Sequence, residues 1–300
     1  MQINTSSLID ALSQQISTQE SRIANLQIQL ASGQALNEPS DNPSKVTQVM
    51  QLSAQASQLA SWQSNAEMAK SWLGTASGIA NSVLDSMQSA RTLLLQASNQ
   101  AAQDATSYQA IGKQLQGIVS TLNFLANTQY EGRSIFSGTS ASPQAYDSAG
   151  NYLGNGDVPT VAIGPGSGAG QTVPISVTGS QMFGSGAASV FATLTAASNA
   201  LASGSPTSSQ ISSAITALDN NIANAQQASV VLGNSSQEVT SAVANLTNQL
   251  SNVQSNQANL QDVNIASVTT QLDAEMTNYH AALWAAAAAI PETLAKFVAP

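Results

Sequence analysis

Near the start of the chain, apolar residues recur at alternating steps of three and four: Ile9, Leu12, Ile16, Ile23, Leu26 and Leu30, with Gln19 filling the one polar position. A heptad series of this kind lies along one side of a helix. The intervening positions are mostly Ser, Gln, Asn, Thr and Ala, so the apolar stripe is narrow. Such a helix needs partner helices to be stable in water. The far end of the chain carries a matching pattern. Val239, Val243, Leu246, Leu250, Val253, Gln257 and Leu260 repeat the alternation, again with one Gln. Ile265, Val268, Leu272, Met276, Tyr279 and Leu283 extend an apolar stripe after a change of register. The expectation is a terminal coiled coil in which the two ends lie side by side and everything else is inserted between them.

The first seam ends at Ser32-Gly33, where Gly suits a helix C-terminus. The loop Gln34–Asn42 follows. It contains Pro39, and Asp41 or Asn42 is placed to cap a new helix with Pro43 at its first position. That helix is predicted to be long, with a seam running from Val49, Leu52, Ala56 and Leu59 through Trp62, Ala66, Ala69, Leu73, Ala76, Ala80, Val83, Met87, Ala90 and Leu94 to Ala97. The repeated step of three from Leu59 to Trp62 is a local stammer. Asp104 or Thr106 can cap the next helix, whose seam is Tyr108, Ile111, Leu115, Ile118, Leu122 and Leu125.

Between Gly132 and Ala188 helical periodicity disappears, and this stretch holds twelve of the nineteen Gly and four of the nine Pro. Val158, Val161 and Ile163, then Val173, Ile175 and Val177, have the alternation of short strands. Asp147-Ser148-Ala149-Gly150-Asn151 reads as a hairpin turn between Tyr146 and Tyr152. Helical character resumes near Ala187 and breaks at Gly204-Ser205-Pro206. From Ile211 a seam runs through Ile215, Leu218, Ile222, Ala225, Ser229, Leu232 and Ser236 into Val239–Leu260, one register for about seven heptads. The expected division is a terminal coiled coil (1–40 with 261–300), a helical rod (41–139 with 187–260) and a β-rich insert (140–186). The loop Pro39, Asp41, Asn42, Pro43 is expected to act as a hinge that sets the angle between coiled coil and rod.

Charge and composition narrow the function classes. Of 300 residues only 8% are charged and 4% aromatic, which favours long helices with thin seams over a large core. Net charge is −9 with seven Lys plus Arg, which argues against a nucleic-acid footprint or a basic membrane anchor. There is no Cys, so disulfides and thiolate metal sites are excluded. The N-terminus lacks a basic leader, which predicts no cleaved signal peptide. The apolar run Ala281–Ile290 is about half the length of a membrane span.

Candidate chemistry is sparse. His280 is the only His, so a Ser-His-Asp triad has one possible base and a multi-His metal site is impossible. The Gly164–Gly170 run lacks the following Lys-Ser/Thr of a phosphate loop and reads as a surface loop. Asp273 and Glu275, two apart, point to different helix faces and read as solvated. Asn4, Asn234 and Asn245 begin glycosylation triplets of a kind chance supplies in an Asn/Ser-rich chain. Trp62, Trp72 and Trp284 read as packing anchors. No catalytic residue, cofactor or metal is assigned.

Particular residues add a resemblance. Leu30-Ala31-Ser32-Gly33 followed by Pro39-Ser40-Asp41-Asn42-Pro43, then Gly132-Arg133-Ser134-Ile135-Phe136-Ser137-Gly138-Thr139, then Leu218-Asp219 through Leu232-Gly233, then Asp262-Val263-Asn264-Ile265 through Ala289, resemble in order the segments of flagellin-like proteins. The Pro-Ser-Asp-Asn-Pro loop, the Gly-Arg-Ser-Ile-Phe-Ser-Gly run and the three Trp are more similar to hook-associated junction proteins than to filament flagellin. The modest length and small insert are similar to the distal one of these. The resemblance implies a mainly α fold: a flagellin-like folded-back long-helix bundle with a terminal coiled coil and a small β-rich insert.

It also implies a non-catalytic structural subunit joining hook to filament, outside the cell, exported through the flagellar type III apparatus without a cleaved signal peptide. Implied partners are further copies in a ring or helical layer, the proximal hook-associated junction protein, flagellin and an export chaperone. No nucleic acid and no membrane span are expected. A short filament flagellin is the alternative within the superfamily; a secreted helical adhesin and an enzyme housed in the insert are readings from other classes.

The expected assembly seam is Ile9, Leu12, Ile16, Ile23, Leu26, Leu30, Leu250, Val253, Leu260, Leu272 and Leu283. Burying so few large side chains returns less than ordering the backbone that carries them costs. Both terminal segments, about residues 1–39 and 261–300, are therefore expected to be largely disordered in a free monomer.

Overall fold

Seven helices and two small antiparallel hairpins follow one another along the described chain. The computed structural model describes residues 5–99, 104–165 and 171–298, with side chains described only between 10 and 287. Ile9's side chain, Asn4, the glycine run 166–170 and the side chains of Ala288 and Ala289 fall outside the described residues. The order is α1 (Thr5–Ser32), α2 (Pro43–Ser98), α3 (Ala105–Ala126), β1 (Gln129–Tyr130), β2 (Arg133–Ser134), β3 (Thr160–Gly164), β4 (Gln171–Pro174), α4 (Gly179–Phe183), α5 (Val190–Ala202), α6 (Ser208–Gln261) and α7 (Ile265–Val298). Contacts divide the chain into two units, Met1–Gln58 with Leu250–Pro300 and Leu59–Gln249; the division falls inside α2 and inside α6.

Side-chain caps start most of these helices. Asn42 Oδ1 accepts from the Lys45 N–H at 3.0 Å, with Pro43 as the first residue of α2. Asp104 Oδ1 accepts from the Ser107 N–H at 2.7 Å at the start of α3. Thr207 and Gln210 form a capping box before α6: the Gln210 N–H donates to Thr207 Oγ1 and the Thr207 N–H to Gln210 Oε1. Asn264 Oδ1 receives the Ser267 N–H ahead of α7.

In the unit Leu59–Gln249 the predicted seam of α2 is the inner face: Leu59, Ala66, Ala69, Leu73, Ala76, Ala80, Val83, Met87, Ala90, Leu94 and Ala97 are all buried. Trp72 joins them, its ring edge-on to Tyr130 at 5.3 Å. Along α6 one position in seven, Ile211, Leu218, Ala225, Leu232, Val239, Leu246 and Val253, is buried as expected. Of the intermediate positions, Ile222 is buried as expected and the others differ. Ala214, Asn221, Ala228 and Ser235 are buried, while Ile215, Ser229 and Ser236 are only half-buried. Two side-chain contacts align α2 and α6 as antiparallel partners: Gln63 Nε2 to Thr247 Oγ1 at 3.3 Å, and Arg91 to Asp219. Gln63 to Arg91 and Asp219 to Thr247 are each 28 residues, four heptads, so one register holds over that length.

The glycine-rich stretch is a small aromatic-cored insert. Tyr146, Phe136, Phe183 and Phe191 are fully buried, and their rings meet at 4.8–5.6 Å. Burial pushes the Tyr146 phenol far above its ordinary range, and its Oη donates to the Gly184 carbonyl. The expected turn at 147–151 is present: Tyr146 and Tyr152 pair, and Asp147 Oδ1 accepts the N–H groups of Ala149 and Asn151. β3 pairs with β4 in the register Val161↔Val173, with an irregularity between Ala162 and Gly164. Val158, Ile175 and Val177 lie outside the strands. Ile175 and Val177 are buried, and the Ile175 N–H donates to the Pro159 carbonyl at 3.0 Å just beyond the end of the β3–β4 ladder. The β1–β2 hairpin was not legible as strand. Its turn residues Glu131 and Gly132 both have positive φ, as a type I′ turn requires, but its strands are only two residues long. The short helix α4, with a Thr178–Gln181 capping box, is likewise absent from the periodicity.

Candidate assembly surface

In the other unit, α1 packs against α7. Leu12, Ile16, Gln19, Ile23, Leu26 and Leu30, the predicted seam, form the more covered face of α1, yet every one is only half-buried and no described residue of α1 is buried. Gln19 Oε1 is itself enclosed and has no hydrogen-bond partner among the described residues. Of the remaining seam candidates, Leu250, Leu260 and Leu272 are half-buried, Val253 is buried, and Leu283 is 38% exposed.

The inner face of α7 differs from the expected stripe. Val268 is buried, and Leu272, Glu275, Tyr279, Ala282 and Ala286 are half-buried. Ile265, Met276 and Leu283 are exposed, on a second stripe roughly 70° round the helix. The apolar residues of α7 thus supply two faces, and α1 covers one. Glu275, expected in solvent, faces α1 and pairs with Arg22 Nη1 at 3.5 Å; Asp273 is exposed. Tyr279 Oη donates to Glu20 Oε1 at 2.8 Å, and the Glu20 carboxylate so close to it raises the phenol's pKa. Trp284 is 79% exposed and anchors nothing within the described residues, unlike Trp72. Ile28 of α1 is also exposed. A shallow groove between the two helices is lined by Arg22, Asn25, Leu26, Gln271, Ala274 and Glu275.

The loop singled out as a hinge is internally braced. Asp41 Oδ2 accepts the N–H groups of Asn37 and Glu38, both at 2.9 Å, while Asn42 caps α2. Pro39 is exposed and Pro43 opens the helix. Just before it, Gly33, with φ +70°, ends α1 as a left-handed cap. The Ala35 N–H donates to the Gln261 carbonyl and the Val263 N–H to the Gly33 carbonyl, so Gln34 and Asp262 form an antiparallel bridge.

His280 is exposed beside Tyr279. Among the described residues no group of three or more His, Cys, Asp or Glu is arranged to hold a metal, and no described helix is long and apolar enough to cross a membrane.

Residues 3–141 match the bacterial flagellin N-terminal helical region. No curated protein matches the chain in sequence. The chain is similar in structure to a Vibrio parahaemolyticus protein described as a flagellar hook-associated protein: 21% identity, TM-score 0.67, over 74% of this chain and 100% of that one. It is also similar to FlgL of Xanthomonas campestris: 17% identity, TM-score 0.51, over 69% of this chain and 97% of that one. The fold is therefore the expected one, a mainly α, flagellin-like arrangement of long helices with a small β-rich insert.

Proposed function

We propose that this chain is a non-catalytic structural subunit of the bacterial flagellum that joins hook to filament, in the distal part of that junction. The observation that carries the reading is the incomplete burial of the α1–α7 pair. Its seam residues Leu12, Ile16, Ile23, Leu26 and Leu30 stay half-buried, and a second apolar stripe at Ile265, Met276 and Leu283 has no partner among the described residues. A helix pair in that condition gains stability from further helices. The fold shared with a hook-associated protein and with FlgL supports the same reading.

The mechanism is geometric. One subunit type presents one end to a hook-side neighbour and the other to a filament-side neighbour. We assign assembly contacts to the seam residues Ile9 to Leu30, Leu250, Val253, Leu260, Leu272 and Leu283, and hinge function to Pro39, Asp41, Asn42 and Pro43. The partners are further copies in a ring or helical layer, a proximal hook-associated protein and flagellin. An export chaperone acts before assembly, and the assembled protein lies outside the cell.

Deletion of the gene tests this. Hooks without filaments, with flagellin shed into the medium, is the expected outcome. Filaments of normal length overturn it. Loss of filaments with no flagellin in the medium would instead identify the chain as the filament subunit.

A further inference from the structure

The bridge between Gln34 and Asp262 joins two chain reversals that are 228 residues apart in sequence. One is the end of α1, the other the linker from α6 to α7. Its two hydrogen bonds, Ala35 N–H to Gln261 O at 2.6 Å and Val263 N–H to Gly33 O at 3.0 Å, flank the pair on either side. The bridge lies directly against the α1–α7 pair and continues into it in register. From Gln34 back to Arg22 is twelve residues, and from Asp262 on to Glu275 is thirteen; Arg22 and Glu275 are an ion pair. Two residues further back on α1, Glu20 meets Tyr279. The buried residue of the α7 stripe, Val268 at 6% exposure, is on the first turn beyond the bridge; Leu272 and Tyr279 farther out are half-buried, and Met276 and Leu283 are exposed.

We propose that this bridge is the clasp from which α1 and α7 zip together, and that it sets their register. Neither helix carries enough apolar surface to stand alone. Once Gly33–Ala35 is held against Gln261–Val263, pairing of Leu30, Leu26 and Ile23 with α7 becomes the closing of a short hairpin. The two helices therefore order and disorder together, from the clasp toward the chain ends. Gly33 suits the position because its φ of +70° turns the chain out of α1 and into the bridge.

The chain has no Cys, so a single engineered disulfide is unambiguous. In this bridge the pair is the non-hydrogen-bonded kind, with Cα atoms about 4.5 Å apart, within disulfide range. The experiment is hydrogen exchange on the full-length Gln34→Cys/Asp262→Cys variant, oxidised and reduced. Oxidation is expected to slow exchange at least tenfold in both α1 and α7, most strongly next to Leu30 and Val268. In a second arm, read at millisecond labelling times, Ala35→Pro removes the N–H to Gln261 and should abolish residual protection in both helices. Ala35→Val, which keeps the N–H, should not. The proposal is overturned if the thiols fail to pair under mild oxidation, if only one helix or neither gains protection, if protection is strongest at the chain ends, or if Ala35→Pro and Ala35→Val exchange alike.

Discussion

Arg91 on α2 and Asp219 on α6 form a two-pronged ion pair, Nε to Oδ1 at 2.5 Å and Nη2 to Oδ2 at 3.3 Å. The Asp219 carboxylate raises the guanidinium's pKa, first through the hydrogen bond and then through its charge. Both side chains are roughly two-fifths exposed, so solvent and salt screen the attraction. The pair is better placed to choose a register than to supply stability. Arg91→Ala and Asp219→Ala are each expected to lower the urea midpoint slightly, by amounts that do not add in the double variant and that shrink in high salt. Additive losses independent of salt would show that the two residues act separately.

Two glycines of α3 make opposite predictions. A Cβ on Gly117 would meet nothing within 4 Å, whereas one on Gly112 would lie 3.1 Å from the Ser198 carbonyl oxygen and 3.3 Å from Leu201 Cβ. Gly117→Ala should stabilise by about 0.4–1 kcal/mol, chiefly by restricting the unfolded chain. Gly112→Ala should destabilise by about 1–3 kcal/mol, because α3 and α5 must move apart. Equilibrium unfolding in urea measures both.

Asp104 and Asp147 are held below the usual carboxylate range. For Asp104 the causes are the Ser107 side chain and then its N–H; for Asp147 they are the Asn151 side chain and then its N–H. A depressed folded pKa gives stability that is fully present above the ordinary value near pH 4 and is lost as pH falls through the folded value. Acid should therefore weaken the cap of α3 and the 147–151 turn before it affects the apolar seam. Asp104→Asn, which keeps the acceptor, should flatten the acid limb of the stability profile. An unchanged limb would remove Asp104 from the account.

Pro43→Gly keeps the Asn42 cap but frees φ at the first position of α2. Circular dichroism of the monomer is expected to change little while junction assembly weakens. Normal motility and filament retention in that variant would count against a hinge at Pro39–Pro43.

Exchange on the free monomer and on the assembled junction should differ most at the chain ends. Amides of Ile9–Leu30 and Ile265–Ile290 are expected to exchange fast in the monomer and slowly in the assembly. Those of Tyr108–Leu125, whose seam includes the buried Tyr108, Ile111, Leu115 and Leu122, should be protected in both. Equal protection of ends and α3 in the monomer would refute folding completed by assembly.

The sequence alone determined the long helices, because a seam repeating every seven residues admits few alternatives. Ile211, Leu218, Leu232, Val239 and Leu246 are buried where their spacing put them, and Asn42, Asp104 and Pro43 stand at helix starts as their chemistry requires. Tertiary structure decided which of two adjacent flanks a seam uses. Ala214 is buried and Ile215 only half-buried, because neighbouring positions lie about 100° apart on a helix and the packed elements choose between them; Glu275 rather than Met276 faces α1, where Arg22 pairs with it. The clasp at Gln34 and Asp262 was invisible for a similar reason. It is made by backbone N–H and C=O groups, which every residue but proline carries, so side-chain spacing holds no trace of it.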